Sequence, residues 1–250
     1  MKKNILIFMI ISFSIISHSS IIVKVGGYIF PPFIEMSKTG EVVGLTCDII
    51  DGMNNIQKKY QFEFVLTSSK NRYKDMFLGK YDIIFFENIL WEWSDYAVQA
   101  SKVFLKGGEV YITNAEDGKN QIYFNNLDGK LLLGVSGYHY QFADFITDEN
   151  YLKSNYNARM TKSHSDNILS VVNKKADIAI VTKSFILKYL HDNPEISLRI
   201  LVSEKFDQEY NHTIIVKDNS SISVEEIDKI LDDLKSSDIM EDILKKYGLH

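Results

Sequence analysis

Cysteine is almost missing: the 250 residues contain one, Cys47. A single thiol excludes an intrachain disulfide and any structural zinc site built on cysteines. Proline is scarce, with only Pro31, Pro32 and Pro194, and no repeat or low-complexity tract interrupts the chain. A basic excess is also lacking, since 28 Lys+Arg against 33 Asp+Glu leave a formal charge of −5. Without a net positive field, nucleic acid is not an expected partner. Histidines 18, 139, 164, 191, 212 and 250 show no paired ligand spacing, so neither a metal nor another cofactor is expected. Nucleophilic triads, phosphate-binding glycine loops and Cys-x-x-Cys motifs are absent.

What is present is ordinary globular composition, 45% hydrophobic and 24% charged, with enough length for one large domain or two small ones. Lys2 and Lys3 precede an apolar run over residues 5–16, and Ser17-His18-Ser19 places small residues at −3 and −1 of a cut after Ser19. This three-part layout predicts a secretory signal peptide over residues 1–19 and a periplasmic destination. The run of twelve would span only about 18 Å of helix against a hydrocarbon core of about 30 Å. No later segment approaches about 20 apolar residues, so no stable membrane insertion is expected.

Short apolar, β-branched runs alternate with segments of helical period, which predicts an α/β fold with mainly parallel sheet. Strands are expected over 22–26, 62–66, 82–86, 110–113, 131–135, 177–181, 197–202 and 212–216. Ile49, Met53, Ile56 and Tyr60 mark one helix face after Asp48. Tyr73, Met76 and Phe77 mark another that stops at Gly79. A third carries Ile168, Leu169, Val171 and Val172 after Ser165. Ser223 and Glu226 form a capping box opening a helix striped by Ile227, Ile230, Leu231 and Leu234. A last short helix is expected over 238–247. Two segments, residues 80–86 and 175–181, each set an Asp (Asp82, Asp177) directly before a continuous apolar run. Such strands want both faces covered, and two of them predict two sheets, hence two lobes.

Several blocks, taken in order, resemble the type II periplasmic solute-binding proteins, family 3, known for binding amino acids for ABC importers. They are Val23-Lys24-Val25-Gly26 leading to Pro31-Pro32-Phe33; Gly40-Glu41-Val42-Val43-Gly44-Leu45 with Asp48; Gly79-Lys80-Tyr81-Asp82; Leu127-Asp128-Gly129-Lys130 with Gly137-Tyr138; and Ile243-Leu244-Lys245-Lys246-Tyr247-Gly248. The resemblance implies two α/β lobes joined by two hinge crossovers. Lobe 1 takes residues 20–109 and 207–250, and lobe 2 takes 110–206. Ligand is held between the lobes, at the carboxyl edges of their strands. The implied partners are a small-molecule ligand and an ABC transporter permease, with the protein working as a monomer.

The sequence also departs from that family. Members that bind α-amino acids hold the carboxylate with an Arg after the first Asp strand and the amine with an Asp ending the second. Here those positions are Ser94 and Thr182, and a hydroxyl-bearing position is Ile89. An ordinary zwitterionic amino acid is therefore not the expected ligand. Aromatic and differently charged residues stand in their place: Tyr28 and Phe30 after the first strand, Glu87 and Trp91 after the Asp82 strand, and Tyr138, His139 and Tyr140 after Gly137. Arg72 opens a helix where a cation is mildly disfavoured by the dipole, so it needs a partner. Trp93 and Phe33 read as packing. The expected ligand-binding set is Tyr28, Phe30, Arg72, Glu87, Trp91, Tyr138, His139, Tyr140 and Thr182.

The resulting expectation is a binding protein for a small polar, aromatic or cationic solute, with Tyr28, Phe30 and Trp91 as an aromatic box. Glu87 supplies the counter-charge, or else pairs with Arg72. Two alternatives share the scaffold. A dehydratase-like enzyme would need an acid or base beside a cationic clamp, nominally Glu87 and Arg72, but lacks a second positioned acid. A soluble receptor for a membrane sensor would need the same closure as a transport protein.

Overall fold

The computed structural model describes residues 19–249, so the expected leader falls, but for Ser19, outside the described residues. In chain order the elements are β1 (Ile21–Gly27), β2 (Glu35–Met36), β3 (Val42–Val43), α1 (Leu45–Ile56), β4 (Tyr60–Leu66), α2 (Arg72–Phe77), β5 (Ile83–Glu87), β6 (Val98–Ala100) and β7 (Leu105–Asn114). They continue with β8 (Leu132–Val135), α3 (Glu149–Tyr156), β9 (Ala158–Thr161), α4 (His164–Val172), β10 (Ile178–Thr182), α5 (Lys183–Asp192), α6 (Pro194–Ser197), β11 (Ile200–Lys217), α7 (Val224–Ser236) and α8 (Ile239–Lys246).

Eight strands lie in the order β4-β1-β5-β11-β7-β10-β8-β9, with β6 also on β11, and form one curled α/β sheet. Its two wings are parallel: β4, β1 and β5 on one side, β10, β8 and β9 on the other. Between them β7 and β11 run antiparallel to each other and to the adjoining wings. The carboxyl half of β11 pairs β5 and β6, and its amino half pairs β7 along residues 200–212. This long antiparallel ribbon joins the wings.

The repeated Asp explains itself. Asp82 donates its backbone N–H to the Lys24 carbonyl at 2.9 Å, and its carboxylate accepts from the Lys24 N–H at 2.9 Å. Asp177 does the same to Leu131, donating to its carbonyl at 3.1 Å and accepting from its N–H at 2.7 Å. Each Asp registers the start of an apolar strand against a parallel neighbour. The strands that follow, β5 and β10, are buried at every position, as two-sided coverage requires. One core cluster covers β1 and β5 with α1, α7 and residues of α8. Two others cover the opposite faces of the β8–β10 wing.

Helix ends follow the capping signals. The Ser223 hydroxyl accepts from the Glu226 N–H and opens α7, whose Ile227, Ile230, Leu231 and Leu234 are buried. Gly79, at φ +74°, ends the turn after α2. Several expectations need correction. Tyr60 starts β4 instead of extending α1, because the chain turns at Gln57, whose side chain accepts from the Tyr60 N–H and donates to the Met53 and Tyr60 carbonyls. The cap of α4 is Ser163, not Ser165. Residues 197–202 and 212–216 are not separate strands. They lie on one strand, β11, whose register shifts between Val202 and Phe206 and again before Gln208. Residue 197 itself closes α6. Elements β2, β3, β6, β9, α3, α5 and α6 have no counterpart among the expected strands and helices.

Candidate functional site

The two wings meet along the carboxyl ends of β1 and β5 on one side and the loop after β8 on the other. The Phe30-Pro31-Pro32-Phe33 turn brings Tyr28 and Phe30 to this edge, stacked at 5.9 Å between ring centroids. Tyr138 crosses from the opposite wing and meets both edge-on, at 6.3 Å and 5.3 Å. Gly137, at φ +80°, permits the approach: a Cβ there would sit 2.8 Å from the Ser69 hydroxyl. Trp91 lies parallel to His139 across the same seam, 6.4 Å away, and its indole N–H points to Gln208 at 3.4 Å. Tyr28, Phe30, Arg72, Trp91, Glu109, Gly137, Tyr138, His139 and Gln208 enclose a cavity of about 10 Å³. That is room for one water molecule.

Arg72 is the hub of this seam. It is 1% exposed, at the N-terminal end of α2, where the helix offers no electrostatic support. Its support comes from Glu87, wholly buried, whose carboxylate lies 3.3 Å from Nε. The guanidinium also donates to the Tyr73 hydroxyl at 2.6 Å and to the Ser69 carbonyl. From the other wing it meets the Gly137 carbonyl at 3.1 Å and His139 Nδ1 at 3.3 Å. Because Arg72 can only donate, Nδ1 accepts and the His139 proton sits on Nε2, 3.5 Å from Glu92. Burial and the neighbouring Arg72 push the His139 pKa down to about 3, so the imidazole is neutral. Burial lifts the Glu87 carboxyl above its ordinary range, while Arg72 and the Trp93 N–H, 2.7 Å away, pull it back. Glu87 contacts Arg72 and is not among the residues that line the cavity. Of the two roles expected for it, the geometry forms the pairing with Arg72.

The carboxylate on the cavity wall is Glu109, which the sequence did not single out. It is 3% exposed and stands opposite Thr182 of β10 and Gln208 of β11 in the ladder. Its Oε1 accepts from the Thr182 hydroxyl at 3.0 Å and the Tyr210 hydroxyl at 3.1 Å. Thr182 has one proton to give, so His164 Nε2, 3.0 Å away, is the donor in that contact. Oε2 of Glu109 has no partner. Burial raises its pKa to about 8, with the Thr182 and Tyr210 donors opposing.

The other expected site residues sit elsewhere. Tyr140 is fully buried in the second wing, its hydroxyl accepting from the Val135 N–H at 2.7 Å. Thr182 reaches the cavity only through Glu109. Ser94 and Ile89 belong to the turn after β5, joined by a backbone hydrogen bond of 3.2 Å. Trp93 and Phe33 are core residues, as expected. Among the described residues, no cluster of three His, Cys, Asp or Glu is placed to hold a metal ion. No helix among the described residues is long and apolar enough to cross a membrane.

The family model described as bacterial extracellular solute-binding proteins, family 3, matches residues 23–250. A search of curated proteins returns no match. Solved structures share the fold at low identity. A mutant arginine-binding protein from T. maritima is 19% identical, with a TM-score of 0.71 over 91% of this chain and 95% of that one. An ABC uptake transporter substrate-binding protein from Streptococcus pneumoniae with bound histidine is 16% identical, with a TM-score of 0.73 over 90% and 92%. A Salmonella typhimurium periplasmic binding protein of high arginine specificity is 16% identical, with a TM-score of 0.69 over 91% and 99%.

Proposed function

The chain belongs to the bacterial extracellular solute-binding proteins, family 3, and from that premise we propose that it captures a small polar, aromatic or cationic solute between its wings and delivers it to an ABC importer. The family is one of binding proteins, not enzymes. In this reading lobe 1 comprises residues 20–109 and 207–250, lobe 2 comprises 110–206, and residues 1–19 are the export leader. The protein works as a monomer in the periplasm. The observation that carries the reading is the seam, where aromatic rings from both wings (Tyr28, Phe30, Trp91, Tyr138) converge on Arg72 and His139 at the strand ends. Glu87 serves by holding Arg72, and Tyr140 and Thr182 by holding the second wall.

A cavity of about 10 Å³ is far below the several hundred Å³ of ordinary small-molecule sites. Ligand entry therefore requires the wings to part. The contacts that must break are the edge-on packing of Tyr138 on Tyr28 and Phe30, the Trp91–His139 stack, and the polar contacts of Arg72 to Gly137 and His139, Glu92 to Thr147 and His139, Ser69 to Ser136 at 2.8 Å and Lys70 to Glu149 at 2.8 Å. The ribbon of β7 and β11 keeps the wings attached throughout.

The test is thermal unfolding of residues 20–250, stripped by unfolding and refolding, against amino acids, amines, aromatic acids and short peptides. A ligand at one hundred times its dissociation constant adds about 2.7 kcal/mol. Stabilisation by one solute class, weakened by Trp91→Ala, is the expected result. Stabilisation unaffected by Trp91→Ala and Tyr138→Ala would place the ligand elsewhere.

A further inference from the structure

We propose that Glu109 is the counter-charge for a cationic group, ammonium or guanidinium, on the captured solute. This rests on the solute-binding reading and names the chemistry of that same cavity. Two observations combine. The positive charge of the seam, Arg72, is already neutralised by Glu87 at 3.3 Å, so the pair leaves no net charge for a ligand. Glu109 has no such partner: no Lys or Arg lies within ion-pair distance of it among the described residues.

The carboxyl is oriented but not satisfied. Oε1 is held by Thr182 of β10, backed by His164 of α4, and by Tyr210 of β11. Oε2 is buried with no hydrogen-bond partner, on a residue that lines the cavity. An isolated buried carboxylate is costly and resolves this by taking up a proton. The groups facing it are Thr182, Tyr210, Gln208, Tyr138 and the neutral His164, with Asp207 and Tyr140 further along the second wing and Arg72 across the cavity. Among them only Arg72 is cationic, and Glu87 engages it. A ligand cation reaching Oε2 would displace that proton, while Tyr28, Phe30 and Trp91 offer ring faces around it.

The experiment is titration calorimetry with three organic cations (agmatine, benzylamine, choline) against two matched probes without positive charge (benzyl alcohol, benzoate). The wild-type chain and Glu109→Gln are compared. Binding of at least one cation to wild type is expected, at least tenfold weaker in Glu109→Gln, whose Oε1 still accepts from Thr182 and Tyr210. A readout that needs no variant comes from repeating the wild-type titration in phosphate and Tris at pH 7. A carboxyl of pKa about 8 is mostly protonated there, so about 0.9 proton should leave per cation bound. Equal cation affinity in both proteins, or binding without proton release, overturns the assignment while leaving solute binding intact. Binding of benzyl alcohol or benzoate alone does the same. Silence from all five overturns the cation assignment, and the broader panel above then decides the solute-binding reading separately.

Discussion

The Arg72–Glu87 pair offers a quantitative test of how the seam is built. Both side chains are at most 1% exposed, with Nε and Oε2 3.3 Å apart. Removing one member of such a pair typically costs about 3–5 kcal/mol, because the survivor stays buried and uncompensated. In Glu87→Gln the amide oxygen still accepts from Trp93, and Arg72 keeps Ser69, Tyr73, Gly137 and His139. The loss should therefore sit at the low end, about 3 kcal/mol. For a chain of this size that lowers Tm by roughly 6–12 °C. In Arg72→Met the stranded Glu87 can escape by protonation. Its native pKa then stands further above its unfolded value, so the variant is least impaired at low pH and loses more as pH rises. The double variant should be more stable than the sum of the single losses implies, by about 2 kcal/mol. Urea unfolding followed by circular dichroism at pH 5 and pH 8 measures all four proteins. A double variant whose loss equals the sum of the singles at both pH values would refute the coupling.

Two further outcomes follow from the same seam. His139, His164 and His212 are each held down to about 3 by burial, below their unfolded value, so their contribution is present above about pH 6.5 and is lost as pH falls towards 3. Glu109 is raised to about 8, so its contribution is full below an unfolded pKa of about 4.3 and is lost as pH rises from there to 8; Tm scans should show an acid limb below about pH 6.5 and, between there and pH 8, a decline that is reduced in Glu109→Gln, and an unchanged decline would contradict the burial argument. Gly137→Ala puts a methyl 2.8 Å from the Ser69 hydroxyl at φ +80°, so small-angle scattering should report a larger radius of gyration than wild type, and an identical profile would show that the contact does not hold the wings together.

Much of the fold was legible because local and long-range signals agree. The apolar runs after Asp82 and Asp177 became buried strands, and the Ser223–Glu226 box capped the helix it announced. Residues 197–202 and 212–216 read as two strands because the polar Glu204, Lys205 and Asp207 interrupt the apolar pattern between them. The ladder instead absorbs those polar residues at a register shift. The candidate site was legible on its aromatic side, in that Tyr28, Phe30, Trp91 and Tyr138 line one cavity. Glu109 was missed for a definite reason. Ligand positions are expected where apolar runs end, yet β7 is antiparallel to β10, so the beginning of its run lies beside Thr182 at the end of β10. A carboxylate immediately before Val110-Tyr111-Ile112 was the available signal, masked by the glycines before it.

The path of β11 also makes the first wing discontinuous in the chain. Strand β5 has β1 on one side and the carboxyl half of β11 on the other, and 125 residues of chain separate Glu87 from Thr213, its partner across that ladder. The first wing therefore has no strand to pair with the outer edge of β5 until the chain of the second wing and the ribbon has been made. The second wing depends only on β7 to β10 and the amino half of β11, so it can close first, as a contiguous stretch inserted within the other. The strand that ties the two halves together is also, in chain order, the last strand of the first wing's sheet.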